Sequence, residues 1–124
     1  MDNNTNNKIR TAVFLWLATA GYMALIYFLS SRHLQVPTLL PKYFDKLAHV
    51  LIYMPLAFLL FVSLRKSGFN KYIFLISFLL AGIYGITGEL HQSFVPGRDS
   101  SAADAVADFI GAVLGAFVAS RVKF

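Results

Sequence analysis

A chain of 124 residues has room for one domain, and 57% of it is hydrophobic, with 12 Phe and only 14% charged residues. Mean hydropathy is +0.62, which excludes an ordinary soluble domain, because a chain this short cannot hide so much apolar surface. The net charge of +5 comes without a basic helix or an aromatic-basic patch, so nucleic acid is not the expected partner, and the absence of Cys excludes a disulfide framework and a thiolate metal site.

In chain order, residues 1–11 are polar and Asn-rich and are expected to form a disordered cytoplasmic N-terminus. The membrane domain then covers residues 12–121. Its first apolar segment, at about 12–30, is too long for a signal-peptide core and has no small-residue cleavage site after it, so it reads as a mature helix. Further apolar segments lie at about 47–64, 72–90 and 102–120. Each is near the roughly 20 residues that a helix needs to cross a bilayer. Each must be helical, since backbone polar groups in lipid have no water to bond. The expected fold is all-α, a polytopic four-transmembrane-helix bundle.

Basic residues set the orientation of such a bundle. Lys8, Arg10, Arg65, Lys66, Lys71, Arg121 and Lys123 fall on the side of the termini, whereas Arg32, Lys42, Lys46 and Arg98 fall on the other. That bias places both termini in the cytoplasm. Of the six acids, only Asp2 is then inside, and Asp45, Glu89, Asp99, Asp104 and Asp108 belong to the outer half.

These acids sit on defined helix faces. On the second helix Asp45, His49 and Tyr53 are spaced i, i+4, i+8 with Lys46 alongside, and Pro55 follows, where a kink is expected. On the third, Gly82, Gly85 and Glu89 share a face, which Gln92 joins if the helix continues. On the fourth, Asp104 and Asp108 stand above Gly111 and Gly115. Small residues let helices approach closely in lipid, and intramembrane charges pair with one another or face the bundle interior. The three stripes are therefore expected to converge, with Lys46 or Arg98 neutralising carboxylates. Ser101 and Asp104 also resemble a helix cap, and His33 and His91 sit in or beside loops and are expected to be solvated.

Together, "DKLAHVLIYMPLAFLL" and "GELHQSFVPGRDSSAADAVADFIGAVLG" resemble the VanZ-like family of small bacterial membrane proteins. The likeness rests on Asp45, Lys46, His49 and Tyr53, on Glu89, Gln92, Phe94, Pro96 and Arg98, and on Asp104, Gly111 and Gly115. It covers roughly residues 43–116, leaves out the first helix, and departs at Asp108, where the family pattern has Asn. The resemblance implies a protein of the cell envelope, in a family named for a teicoplanin-resistance protein, and no settled reaction.

Two chemistries fit these residues. Glu89, His49 and Asp104 have the groups for acid-base work. Lys46 and Arg98, helped by Gln92, Asp45, Tyr53, Asp108 and the start of the fourth helix, would hold an anion such as the phosphate of a polyprenyl carrier or phospholipid. His49 with Asp45, Glu89 and Asp104 also offers donors for a divalent ion, but no short metal-binding motif is present. A hydrogen-bonded histidine is the preferred reading, and neither metal nor cofactor is assigned. The expectation is an anionic-lipid site on the outer face, catalytic or purely binding, with altered susceptibility to teicoplanin-type glycopeptides as its implied phenotype. The alternatives are a non-enzymatic scaffold or accessory subunit whose charge cluster is structural and, third, a transporter or proton channel.

Overall fold

The computed structural model describes residues 2–31, 43–94 and 102–123. They form four helices: α1 Asn3–Ser31, α2 Tyr43–Lys66, α3 Ile73–Gln92 and α4 Ala102–Arg121. All four are long and apolar enough to cross a membrane.

Their boundaries differ from the apolar segments in an instructive way. α1 begins at Asn3, inside the stretch expected to be disordered. The Thr5 amide donates to Asp2 Oδ1 at 2.7 Å, an N-cap contact that satisfies one of the free amides of the first turn and holds the Asp2 carboxyl below the usual carboxylate range. α2 begins at Tyr43, four residues before its apolar run, which brings Asp45 and Lys46 onto the helix. It continues unbroken through Pro55 and ends at Lys66, two residues before Gly68, whose φ of 99° suits the left-handed residue that closes a helix. α3 extends to Gln92, so Glu89 and Gln92 lie on one continuous helix.

α2 is the hub, packing most extensively on α4 and also on α1 and α3. Contacts fix the directions. Lys46 meets Asp104 and His49 meets Asp108, so α2 and α4 run parallel. Gly82 backs onto Phe109 and Gly85 onto Asp108, so α3 runs antiparallel to α4. The N-terminal ends of α2 and α4 and the C-terminal end of α3 therefore share one end of the bundle.

Small residues permit the closest approach. A Cβ added at Gly111 or Gly115 would collide with the backbone carbonyls of Val50 and Met54 on α2, and Ala112 and Ala116 are fully buried beside them. This is the close backbone contact that the Gly-x-x-x-Gly spacing allows in lipid. Tyr53, Leu56, Ala57 and Leu60 of α2 pack with Ala81, Ala112 and Ala116 to form the core. α1 covers this core with polar fastenings along its length. Trp16 donates to Ser67 Oγ at 2.7 Å, the Thr19 and Ser63 hydroxyls are 3.0 Å apart, and the Tyr84 hydroxyl donates to the Met23 carbonyl at 2.6 Å.

Candidate functional site

The three polar stripes converge. From α2, the Lys46 ammonium bonds Asp104 Oδ1 of α4 and lies 3.6 Å from Asp45 Oδ2. One turn deeper, His49 Nδ1 and Asp108 Oδ1 are hydrogen-bonded at 2.7 Å. The other ring nitrogen, Nε2, faces Asp104 Oδ2 at 3.8 Å and Asp45 Oδ1 at 4.0 Å. Glu89 of α3 completes the group. One donor atom each from His49, Glu89 and Asp108 lie within 4.8 Å of one another, as do those of Asp45, His49 and Asp104.

Helix geometry explains why these residues meet. Asp45 and His49 are one turn apart on α2, and Asp104 and Asp108 are one turn apart on α4. Because α2 and α4 run parallel, the two ladders stand side by side. Gly85 makes room for the third member: a Cβ there would lie 2.8 Å from Asp108 Oδ2. A side chain at residue 85 would push α3, and Glu89 with it, away from His49.

Burial grades the cluster from mouth to floor. The Lys46 side chain is 40% exposed, whereas that of Asp104 is 6% exposed and that of Asp108 only 2%. Tyr53 is buried below them and reaches across to α3, where a Cβ on Gly88 would lie 3.5 Å from its hydroxyl oxygen. Gln92 is also buried, on the α3 face that carries Gly85 and Glu89.

The structure thus gathers Asp45, Lys46, His49, Glu89, Asp104 and Asp108, with Tyr53 and Gln92 on adjoining faces. Arg98, Pro96 and Ser101 lie outside the described residues, as does His33. Asp104, read from sequence partly as a helix cap, stands in the first turn of α4 and carries the ion pair with Lys46. His91 lies on the helix side of its loop and is not fully solvated. It is half-buried in the last turn of α3, with its ring 4.8 Å from that of Tyr27. Its place on a helix could have been read only by extending the third segment past Leu90.

A second feature had no signal in the motifs. An open apolar groove of about 560 Å³ runs along α3 and α4, lined by residues that include Ile86, Val106, Phe109, Ile110 and Leu114. Its lining includes Ala105 and Val106, which fall between Asp104 and Asp108 in sequence, but no residue of the acidic cluster.

No curated protein and no solved structure matches this chain. The family model described as VanZ/LLP1 matches residues 3–123, which includes the first helix that the motifs did not reach. With that match across nearly the whole sequence, and with the motif residues of three helices gathered into one cluster, the chain belongs to the VanZ-like family.

Proposed function

We propose that this multi-pass membrane protein binds the phosphate headgroup of an anionic envelope lipid, with a polyprenyl phosphate or a phospholipid as the substrate class. In this reading it resides in the bacterial inner membrane with both termini cytoplasmic. The cluster then opens to the outer leaflet, where cell-wall precursors and glycopeptides meet. The observation that carries the reading is the concentration of titratable groups at one end of an otherwise apolar bundle. Intramembrane ionisable residues are costly and mark functional sites by default.

Two further features support it. Lys46 is a part-exposed cation at the mouth and lies against two carboxylates, Asp45 and Asp104, so a phosphate oxygen can take the place of the exposed Asp45. The apolar groove along α3 and α4 offers an acyl or polyprenyl chain a surface on the same two helices that carry Glu89, Asp104 and Asp108. If the site also modifies its lipid, Glu89, His49 and Asp104 are the acid-base groups. Teicoplanin susceptibility is then altered through the lipid.

The test is comparative mass spectrometry of envelope lipids from cells carrying the wild-type protein, Glu89→Gln or neither, with matched membrane levels of the two variants. A lipid species changed by wild type and not by Glu89→Gln is the expected result for a catalytic site. For a site that only binds, the expected result is co-purification of an anionic lipid with wild type that Lys46→Ala abolishes.

The part-buried His49–Asp108 hydrogen bond favours a second reading, a non-enzymatic scaffold whose cluster fixes helix packing. Identical lipid profiles and no co-purifying anionic lipid would select it.

A further inference from the structure

We propose that His49 Nδ1, Glu89 and Asp108 hold a divalent transition-metal ion between α2, α3 and α4. The inference starts from charge. Among the described residues the cluster sets four carboxylates, Asp45, Glu89, Asp104 and Asp108, against Lys46 and His49. A phosphate meeting that excess of negative charge is repelled, while a cation is attracted.

The two donor triads are not equivalent. In Asp45–His49–Asp104 the Lys46 ammonium already bridges the carboxylates. A cation occupies that place, and it is part of the chain. In His49–Glu89–Asp108 the three donors come from three different helices. An ion there replaces the proton that His49 Nδ1 shares with Asp108 Oδ1. One proton leaves and two positive charges arrive among carboxylates.

The surroundings of His49 suit a ligand. With Nδ1 on the ion, the proton resides on Nε2, which faces Asp104 and Asp45 at 3.8 and 4.0 Å. A carboxylate behind the far nitrogen of a ligating histidine fixes its tautomer and orientation. Asp104 is itself held by Lys46, so the supporting carboxylate is anchored.

Gln92 supplies an independent observation. It lies three residues after Glu89 and seven after Gly85, on the α3 face that Gly85 presents to Asp108. It is 5% exposed, and its Oε1 is buried without a hydrogen-bond partner among the described residues. Buried polar groups are nearly always bonded. The water on a divalent ion provides the O–H donor that this oxygen lacks. An imidazole with oxygen donors selects zinc, manganese, iron, cobalt or nickel over magnesium and calcium, and without Cys the site has no thiolate.

The ion also resolves the conflict between an acid-rich cluster and an anionic lipid, since its open positions would take the phosphate oxygens. In that respect the inference deepens the proposed function and rests on it; ion binding itself does not need the lipid.

The experiment uses full-length, tag-free protein in detergent, stripped with a chelator and titrated with Co²⁺ alone, with Zn²⁺ as competitor. Ligand-field bands in the visible and about one ion per chain are expected, with affinity weakened at least ~10-fold in Glu89→Gln and Asp108→Asn. Circular dichroism and monodisperse elution establish that each variant is folded. Should Asp108→Asn fail that check, Glu89→Gln decides alone. Binding no greater than in a detergent blank overturns the proposal, as does unchanged affinity in the folded variants. A larger loss in Asp45→Asn than in Glu89→Gln also overturns it, since that places the ion in the other triad. Repeating the titration in phosphatidylcholine nanodiscs with and without a polyprenyl phosphate separates the two ideas. Co²⁺ binding that the phosphate does not tighten leaves the ion and removes the lipid reading. Phosphate binding without Co²⁺ does the reverse.

Discussion

At residue 108 this chain carries Asp where the pattern it resembles has Asn, and the structure gives that carboxylate a definite partner in His49. The pairing can be divided experimentally into shape and charge. Asp108→Asn keeps a hydrogen-bonding side chain of the same size opposite His49. Asp108→Ala removes it and leaves a half-buried imidazole nitrogen without its acceptor. Losing one partner of a buried bond costs about 1–3 kcal/mol in soluble proteins, whereas hydrogen bonds between membrane helices average about 0.6 kcal/mol. The low end of the first range therefore applies. Asp108→Ala is expected to destabilise the bundle by about 1–2 kcal/mol and Asp108→Asn by less than about 1 kcal/mol, read from reversible unfolding in mixed detergent micelles. Equal losses in the two would mean that charge, not bonding shape, holds His49 in place. The faces were legible in the sequence, because Asp45 with His49 and Asp104 with Asp108 are each one turn apart. The pairings were not: whether Lys46 meets Asp104 or Glu89 depends on which helices are neighbours, and spacing along one helix does not contain that.

Among the elements, the α2–α4 contact bears the tightest constraint. A methyl at Gly115 meets the Met54 carbonyl, and one at Gly111 meets that of Val50. Backbone atoms cannot rotate aside as a flexible side chain can, so the helices must separate along their shared face. Gly115→Ala is expected to cost about 1–3 kcal/mol, the usual range for overpacking. Gly21→Ala, which meets nothing within 4 Å, should be neutral or slightly stabilising because Ala is the better helix former. The same unfolding assay checks both, and a harmless Gly115→Ala would contradict the close approach. The Gly-x-x-x-Gly spacing announced a packing face but not its partner. Both α2 and α3 are apolar helices that could have met it. What decides is that α2 turns its Val50 and Met54 carbonyls to the glycines, while α3 uses its own Gly82 and Gly85 to admit Phe109 and Asp108. Helix ends were the least legible feature. A count of apolar residues stops where polarity begins, yet α1 and α2 extend into polar sequence, in α1 back to Asn3 beside the Asp2 cap and in α2 as far as Tyr43, before Asp45.

For the whole molecule, the function proposed depends on which leaflet the cluster faces. The helix directions place the described ends of α1 and α4 nearest the termini at one end, with the turn after α2, and place the cluster at the other. Basic residues are biased toward the end with the termini, and such bias orients short loops toward the cytoplasm. The chain contains no Cys, so single cysteines report position against a silent background. Phe94, 84% exposed just beyond α3 at the cluster end, and Asn70, exposed in the turn after α2, are suitable sites. In intact bacterial cells a membrane-impermeant maleimide should label Phe94→Cys and leave Asn70→Cys unlabelled until the membrane is permeabilised. The opposite pattern would put the carboxylates, Lys46 and His49 at the cytoplasmic leaflet. The bundle would survive that result unchanged, but a site meeting lipid-linked precursors at the outer face would not, and a phosphate ligand would have to be sought among lipids of the inner leaflet.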